Sequence, residues 1–280
     1  MSKSSIAIAA IVVVMLSCKG GKAPETAITA TPDTDSIVKD TVEVDTLEML
    51  VTDTPMPKAA DELFDDFIFN FAANRKLQME RIRFPLPVTR NGQTRLVSKA
   101  EWKNERFFMH QEYYTVLFNS ERQMALANDT SVSKAVVEKI YFNTGAVIQY
   151  SFSRKNGAWM LESVKTDPIA ANSNASFLDF YHRFVTDSVF QAESLHETVQ
   201  FTGPDPDDDF AQMEGMITAD SWPAFAPELP EKMIYNIVYG EPSNPTDKMI
   251  FIMRGIANGL ELMMIFKKYD DRWVLTTLNT

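Results

Sequence analysis

One cysteine, Cys18, serves all 280 residues, so no disulfide can join two parts of the chain. Histidine is nearly as scarce. His110, His182 and His196 are the whole supply, and no two of them stand at the i, i+4 spacing of a helical zinc site. Glycine-rich phosphate cradles are missing: neither G-x-x-x-x-G-K-[ST] nor G-x-G-x-x-G occurs, and no G-x-S-x-G elbow offers a nucleophilic serine. Basic side chains are in deficit, 27 against 38 acidic ones, for a formal net charge of −11. A nucleic-acid partner, bound through clustered Lys and Arg, is not expected from such a chain. No metal, cofactor or catalytic residue is expected either.

What is there begins with the first 18 residues. Lys3 precedes an apolar run, Ile6 to Leu16, of signal-peptide length and too short to span a bilayer. Met15-Leu16-Ser17-Cys18 then resembles a bacterial lipobox, with Met where Leu is usual. The expectation is a cell-envelope lipoprotein with Cys18 lipidated, which leaves no thiol nucleophile. Residues 19–58 hold 8 acids and 4 bases with no helical apolar period, and read as a disordered tether. Lys19, in place of an Asp that would retain the protein at the inner membrane, points to the outer membrane, and the lack of the acidic cluster after Cys18 that surface-exported lipoproteins carry points into the periplasm.

The rest of the chain repeats itself. Phe64, Phe67, Phe71, Gln78 and Glu80 match Phe177, Phe180, Phe184, Gln191 and Glu193 at a constant offset of 113. Trp102 matches Trp222, and Phe152, Trp159, Leu161 and Val164 match Phe266, Trp273, Leu275 and Leu278. Two copies, 59–167 and 173–280, follow from this, with the boundary between Asp167 and Ser176. The Phe spacing i, i+3, i+7 predicts one apolar stripe of an amphipathic helix. Asn74 and Asp187 mark a pause, and a second short helix follows in each copy. Next comes a hairpin, tightened in the first copy by Asn91-Gly92, and a short helix around Trp102 or Trp222. β-branched and aromatic runs then predict strands to the end of each copy.

Helices followed by a sheet whose last strand opens on Trp, as in Lys155-Asn-Gly-Ala-Trp159-Met-Leu161 and Asp270-Asp-Arg-Trp273-Val-Leu275, resembles the nuclear transport factor 2-like (cystatin-like) fold. The expected fold class is α+β: two tandem copies of a helix-then-curved-antiparallel-sheet domain. The lipobox and the duplication together resemble an uncharacterised family of Bacteroides-type lipoproteins, a domain of unknown function. That resemblance carries a fold and no catalytic residues.

Two side-chain groups invite function. Asp205, Asp207, Asp208 and Asp209 suggest a hard cation, but an EF-hand loop starting at Asp205 needs Gly and Glu where Phe210 and Met216 stand. A solvated loop is expected. The aromatics Trp102, Phe108 and Tyr114, mirrored by Trp222, Phe225 and Tyr235, are core packing or the lining of a pocket between helices and sheet. The functional expectation is a non-enzymatic binding or scaffold module for a small apolar ligand or an envelope protein, anchored to a membrane by lipid. The alternative is a pocket enzyme, isomerase or hydrolase-like, marked by a buried carboxylate beside a Tyr in an open cavity. Charge is shared unevenly: residues 59–168 carry 15 bases and 13 acids, residues 169–280 carry 7 and 17. Arg81, Arg83, Arg90 and Arg95 crowd the first hairpin; either they dock on the acidic second hairpin, or both hairpins are solvated and the copies meet through a mainly apolar contact, which is the reading favoured.

Overall fold

A computed structural model describes residues 58–205, 208–242, 246–256 and 258–280. Cys18 and the 19–58 tether therefore lie, up to residue 57, outside the described residues.

The first copy opens with α1 (Phe64–Ala73) and α2 (Arg75–Arg81). Phe64, Phe67 and Phe71 are all buried, as the stripe predicts. Asn74 ends α1 and caps α2, its Oδ1 accepting from the Leu77 N–H at 2.9 Å. The strands are β1 (Leu86–Arg90), β2 (Gln93–Val97) and β3 (Tyr113–Phe118), then, after α3 (Glu121–Ala125), β4 (Lys134–Tyr141), β5 (Ala146–Lys155) and β6 (Ala158–Pro168).

The second copy repeats the order: α4 (Ala175–Thr186), α5 (Ser188–Glu193), β7 (Leu195–Asp205), β8 (Asp208–Ile217), β9 (Met233–Tyr239), β10 (Lys248–Gly255), β11 (Glu261–Tyr269) and β12 (Arg272–Asn279). Asp187 caps α5 as Asn74 caps α2, accepting from Val189 and Phe190. An Asn or Asp at this hinge satisfies N–H groups that a new helix leaves free. No helix forms at Trp102. In the second copy a 3-10 turn starts at Trp222.

Two six-stranded sheets result, ordered β2-β1-β6-β5-β4-β9 and β8-β7-β12-β11-β10-β3. Neither is wholly antiparallel as the sequence led us to expect. β1 runs parallel to β6, and β7 parallel to β12; these partners are far apart in sequence, so no tight turn forces them antiparallel. Subtracting six from the second set of numbers makes the orders identical except at the inner edge. There the copies trade strands: β9 pairs with β4, and β3 pairs with β10.

Registers fix the equivalence residue by residue. Lys139 lies between Ile148 and Tyr235, and Met253 between Leu262 and Thr115. So β4 matches β10 at an offset of 114, and β9 matches β3 at 120. Two-residue turns at Asn91-Gly92, Asn156-Gly157 and Asp270-Asp271 all have positive φ at both positions, the conformation that joins twisted antiparallel strands.

Each helix lies in the hollow of its own sheet. Phe64 meets Trp159 and Phe71 meets Phe152; Phe177 meets Trp273 and Phe184 meets Phe266. The last pair and its counterpart share an interplanar angle of 89°. Burying one such ring contributes roughly 1.5–3 kcal/mol, so six Phe side chains on two helices dominate both cores.

The traded strands touch one another along a polar seam. Thr115 donates to the Tyr235 carbonyl at 2.6 Å and accepts from its N–H at 3.0 Å. Asn236, wholly buried, accepts from the Leu117 N–H at 2.9 Å and donates to Glu138 at 2.8 Å. Gln149 and Asn172 supply Glu138 with two further amide donors. The hairpins β1–β2 and β7–β8 sit at the opposite, outer edges of the sheets, so the reading that docks one on the other is corrected. Arg81, Arg83 and Arg95 instead pair with Asp61, Glu162 and Glu101.

Candidate functional site

The aromatics singled out by sequence do different jobs. Phe108 packs its ring 5.4 Å from Tyr114 and 5.6 Å from Tyr235, so these three meet, drawn from both copies by the strand trade. Trp102 donates to the Gln78 side chain at 3.2 Å, and Trp222 to that of Gln191 at 2.9 Å. The same glutamines donate to the carbonyls of Phe71 and Phe184. This explains why Gln repeats at the 113 offset: it ties the first helix to the loop after the hairpin. Phe225 is over a third exposed and its ring packs edgewise on Phe201.

The chemistry gathers instead at one end of each hollow. In the first copy, Lys139 reaches inward from β4, and its ammonium sits 2.6 Å from Glu105. Rings of Phe107, Tyr150 and Tyr235 surround it with centroids 5.8–5.9 Å away. The negative ring faces and the carboxylate replace the water that the cation has lost. The Tyr150 hydroxyl donates to Glu105 at 2.8 Å, and the Phe107 N–H donates at 3.1 Å. Burial alone would lift the Glu105 carboxyl, but the Lys139 charge and these donors outweigh it and hold it below its ordinary 4.5. Burial, helped by the Glu105 charge, pushes the Tyr150 and Tyr235 hydroxyls far up.

Among the described residues the second copy has no ion pair at the same place. Met253 stands where Lys139 does, and Phe225, which matches Glu105 at the 120 offset, faces elsewhere. A groove of about 1020 Å³ opens there. Its floor is Met253 and Leu262, both buried cross-strand partners; Tyr113 and the segment Pro227–Pro230 form its walls. Tyr181 of α4 holds that segment by donating to the Pro230 carbonyl at 3.1 Å. Glu112, Glu228 and Glu261 stand exposed on the rim, and among the described residues no Lys or Arg lines the groove. Of the sequence-chosen residues none lines it; the neighbouring Tyr113 does. The signal that could have found it was the Lys-to-Met difference between aligned copies.

A second carboxyl–tyrosine pair lies at the sheet seam. Buried Tyr239 donates to half-buried Asp65 at 2.5 Å. Burial raises the Asp65 carboxyl above its ordinary 3.8 despite the Tyr239 hydrogen bond and the nearby Arg254 charge. Neither Asp65–Tyr239 nor Glu105–Tyr150 opens into the groove. Among the described residues no group of three or more His, Cys, Asp or Glu is placed to hold a metal ion.

The two carboxyls should carry opposite pH dependences. Glu105, with a folded pKa below 4.5, contributes stability present above that value and lost as pH falls through the folded pKa. Asp65, raised, costs nothing while protonated and removes stability as pH rises through its folded pKa. In urea unfolding from pH 3 to pH 7, Glu105→Gln should flatten the acid limb. Asp65→Asn should gain on the parent as pH rises. Parallel profiles for the two variants would contradict both assignments.

Two six-stranded mixed sheets, each with helices in its hollow, make this an α+β protein. The chain belongs to the family described as "Domain of unknown function (DUF4348)", which matches residues 43–280. Among solved structures, an NTF2-like protein from Bacteroides fragilis NCTC 9343 is similar: 38% identical, covering 80% of this chain and 98% of that one, with a TM-score of 0.72. Among curated proteins none matches the chain.

Proposed function

We propose that this protein is a non-enzymatic binding module of the cell envelope, tethered by lipid on Cys18, which takes one small, mainly apolar ligand per chain in the groove of the second copy. The observation that carries the reading is the contrast between two equivalent places, one filled by Lys139 and Glu105, the other open over Met253 and Leu262. A concave, mostly apolar site of about this size suits a small molecule, which typically occupies roughly 300–1,000 Å³. The enzymatic alternative draws less support: Glu112, Glu228 and Glu261 at the groove are exposed, and among the described residues none of them is hydrogen-bonded to Tyr113.

The test is titration with a neutral solvatochromic dye such as Nile red. One site per chain is expected, weakened more than tenfold by Met253→Lys on the floor and by Leu229→Asp on the wall. Undiminished binding in both folded variants would overturn the reading. For the anchor, Cys18→Ser should abolish incorporation of radiolabelled fatty acid and move the protein from the membrane to the soluble fraction. Equal labelling of parent and variant would remove the lipid from the account.

A further inference from the structure

The filled mouth of the first copy shows what the open one suits. Lys139 is a four-carbon stem ending in an ammonium, laid along the hollow with its charge met by a carboxylate and three ring faces. At the matching place in the second copy the stem is shortened to Met253, and the space it leaves continues into the groove. The counterpart of Glu105 is Phe225, but carboxylates from other positions stand at the groove. Glu112 and Glu228 lie on its rim without an ion pair among the described residues, and Glu261 has only a 3.7 Å contact to Arg254. Among the described residues no cation lines it.

From this, and resting on the groove being the binding site, we infer that its ligand is a linear aliphatic primary amine, seated as Lys139 is seated in the first copy. The alkyl chain lies over Met253 and Leu262, and the ammonium faces Glu112 and Glu228. A free alkylamine and a lysine side chain of another molecule share that chemistry. Rim carboxylates act through solvent, so they select the sign of charge while the apolar floor supplies affinity. A preference of about tenfold for amine over acid, or about 1.4 kcal/mol, is the expected scale.

The experiment uses the full chain in low salt, with calorimetric titration of octylammonium, octanol and octanoate. Octylammonium should bind about tenfold more tightly than octanoate, with octanol between them. The preference should fall to about twofold in Glu112→Gln/Glu228→Gln, whose exposed positions spare the fold, and should shrink in 0.5 M salt. Competition by Nα-acetyl-lysine amide would assign the site to a lysine side chain; competition by octylammonium alone would assign it to a free amine. Equal binding of all three octyl compounds, abolished by Met253→Lys, would overturn this inference and leave the groove as an apolar site. Binding of none would overturn both.

Discussion

Produced alone, residues 58–171 should fail to give a folded monomer, and should recover only when residues 172–280 are produced beside them. The first sheet would lack its inner edge, because β9 belongs to the other half. Tyr235, Ile237 and Tyr239, all buried in the first core, would be withdrawn from it. At roughly 1.5–3 kcal/mol each, their loss is comparable to the about 5–15 kcal/mol that holds a typical domain together.

Taking back its own β3 would not mend the half-chain. By register Thr115 would replace Tyr235, Val116 would replace Asn236 and Asn119 would replace Tyr239. Lys139 would lose a ring, Glu138 a donor and Asp65 its hydroxyl partner. Circular dichroism and urea unfolding read the outcome. A monomeric 58–171 with one cooperative transition would show that the trade is dispensable.

The second large effect lies at Gln78, which is wholly buried. Its amide nitrogen donates to the carbonyls of Phe71 and Glu105 at 2.9 and 2.6 Å, and its oxygen accepts from Trp102 and the Glu105 N–H. Truncation to Ala would leave buried backbone groups unpaired, at about 1–3 kcal/mol each, and would open a void beside them. We expect Gln78→Ala to destabilise the protein by about 3 kcal/mol or more. Gln78→Glu should do no better, since a carboxylate cannot donate to two carbonyls. Gln191→Ala should cost about half as much, as Gln191 is only half-buried and has two side-chain partners shown, Phe184 and Trp222. Equal costs at the two positions, measured by urea unfolding, would contradict this account.

The cores were legible in the sequence because their causes are local and periodic. The Phe stripe, the Asn-Gly turn and the closing Trp strand each announce a backbone geometry within a few residues. The Asn74 and Asp187 hinges were legible for the same reason. The parallel pairing of β1 with β6 was not, since strand direction is decided by where the chain enters the sheet. Nor was the trade of β3 for β9: both runs read equally well as strands, and only cross-copy partners such as Asn236 and Glu138 choose between sheets.

The candidate site suffered from the same blindness. Conspicuous aromatics drew the eye to Trp102 and Trp222, whose partners are glutamines of the same copy. The groove follows from what the second copy lacks, a lysine at Met253, and that absence acquires meaning only when registers align the two copies.

The most direct test of the traded strands is a pair of engineered disulfides in a Cys18→Ser background. Tyr141 lies opposite Met233 across β4 and β9, and both are half-buried at strand ends where a cysteine can be accommodated. Without the trade, Tyr141 would lie opposite Tyr113, as Gly255 does in the second sheet. Directly opposed strand residues are about 4.5–5.5 Å apart between Cα atoms, within the range a disulfide spans. Under mild oxidation, with peptide mapping as the readout, Tyr141→Cys/Met233→Cys should close completely within the monomer and Tyr141→Cys/Tyr113→Cys should remain reduced. Closure of the second pair in preference to the first would contradict the exchange of strands on which the account of both copies rests.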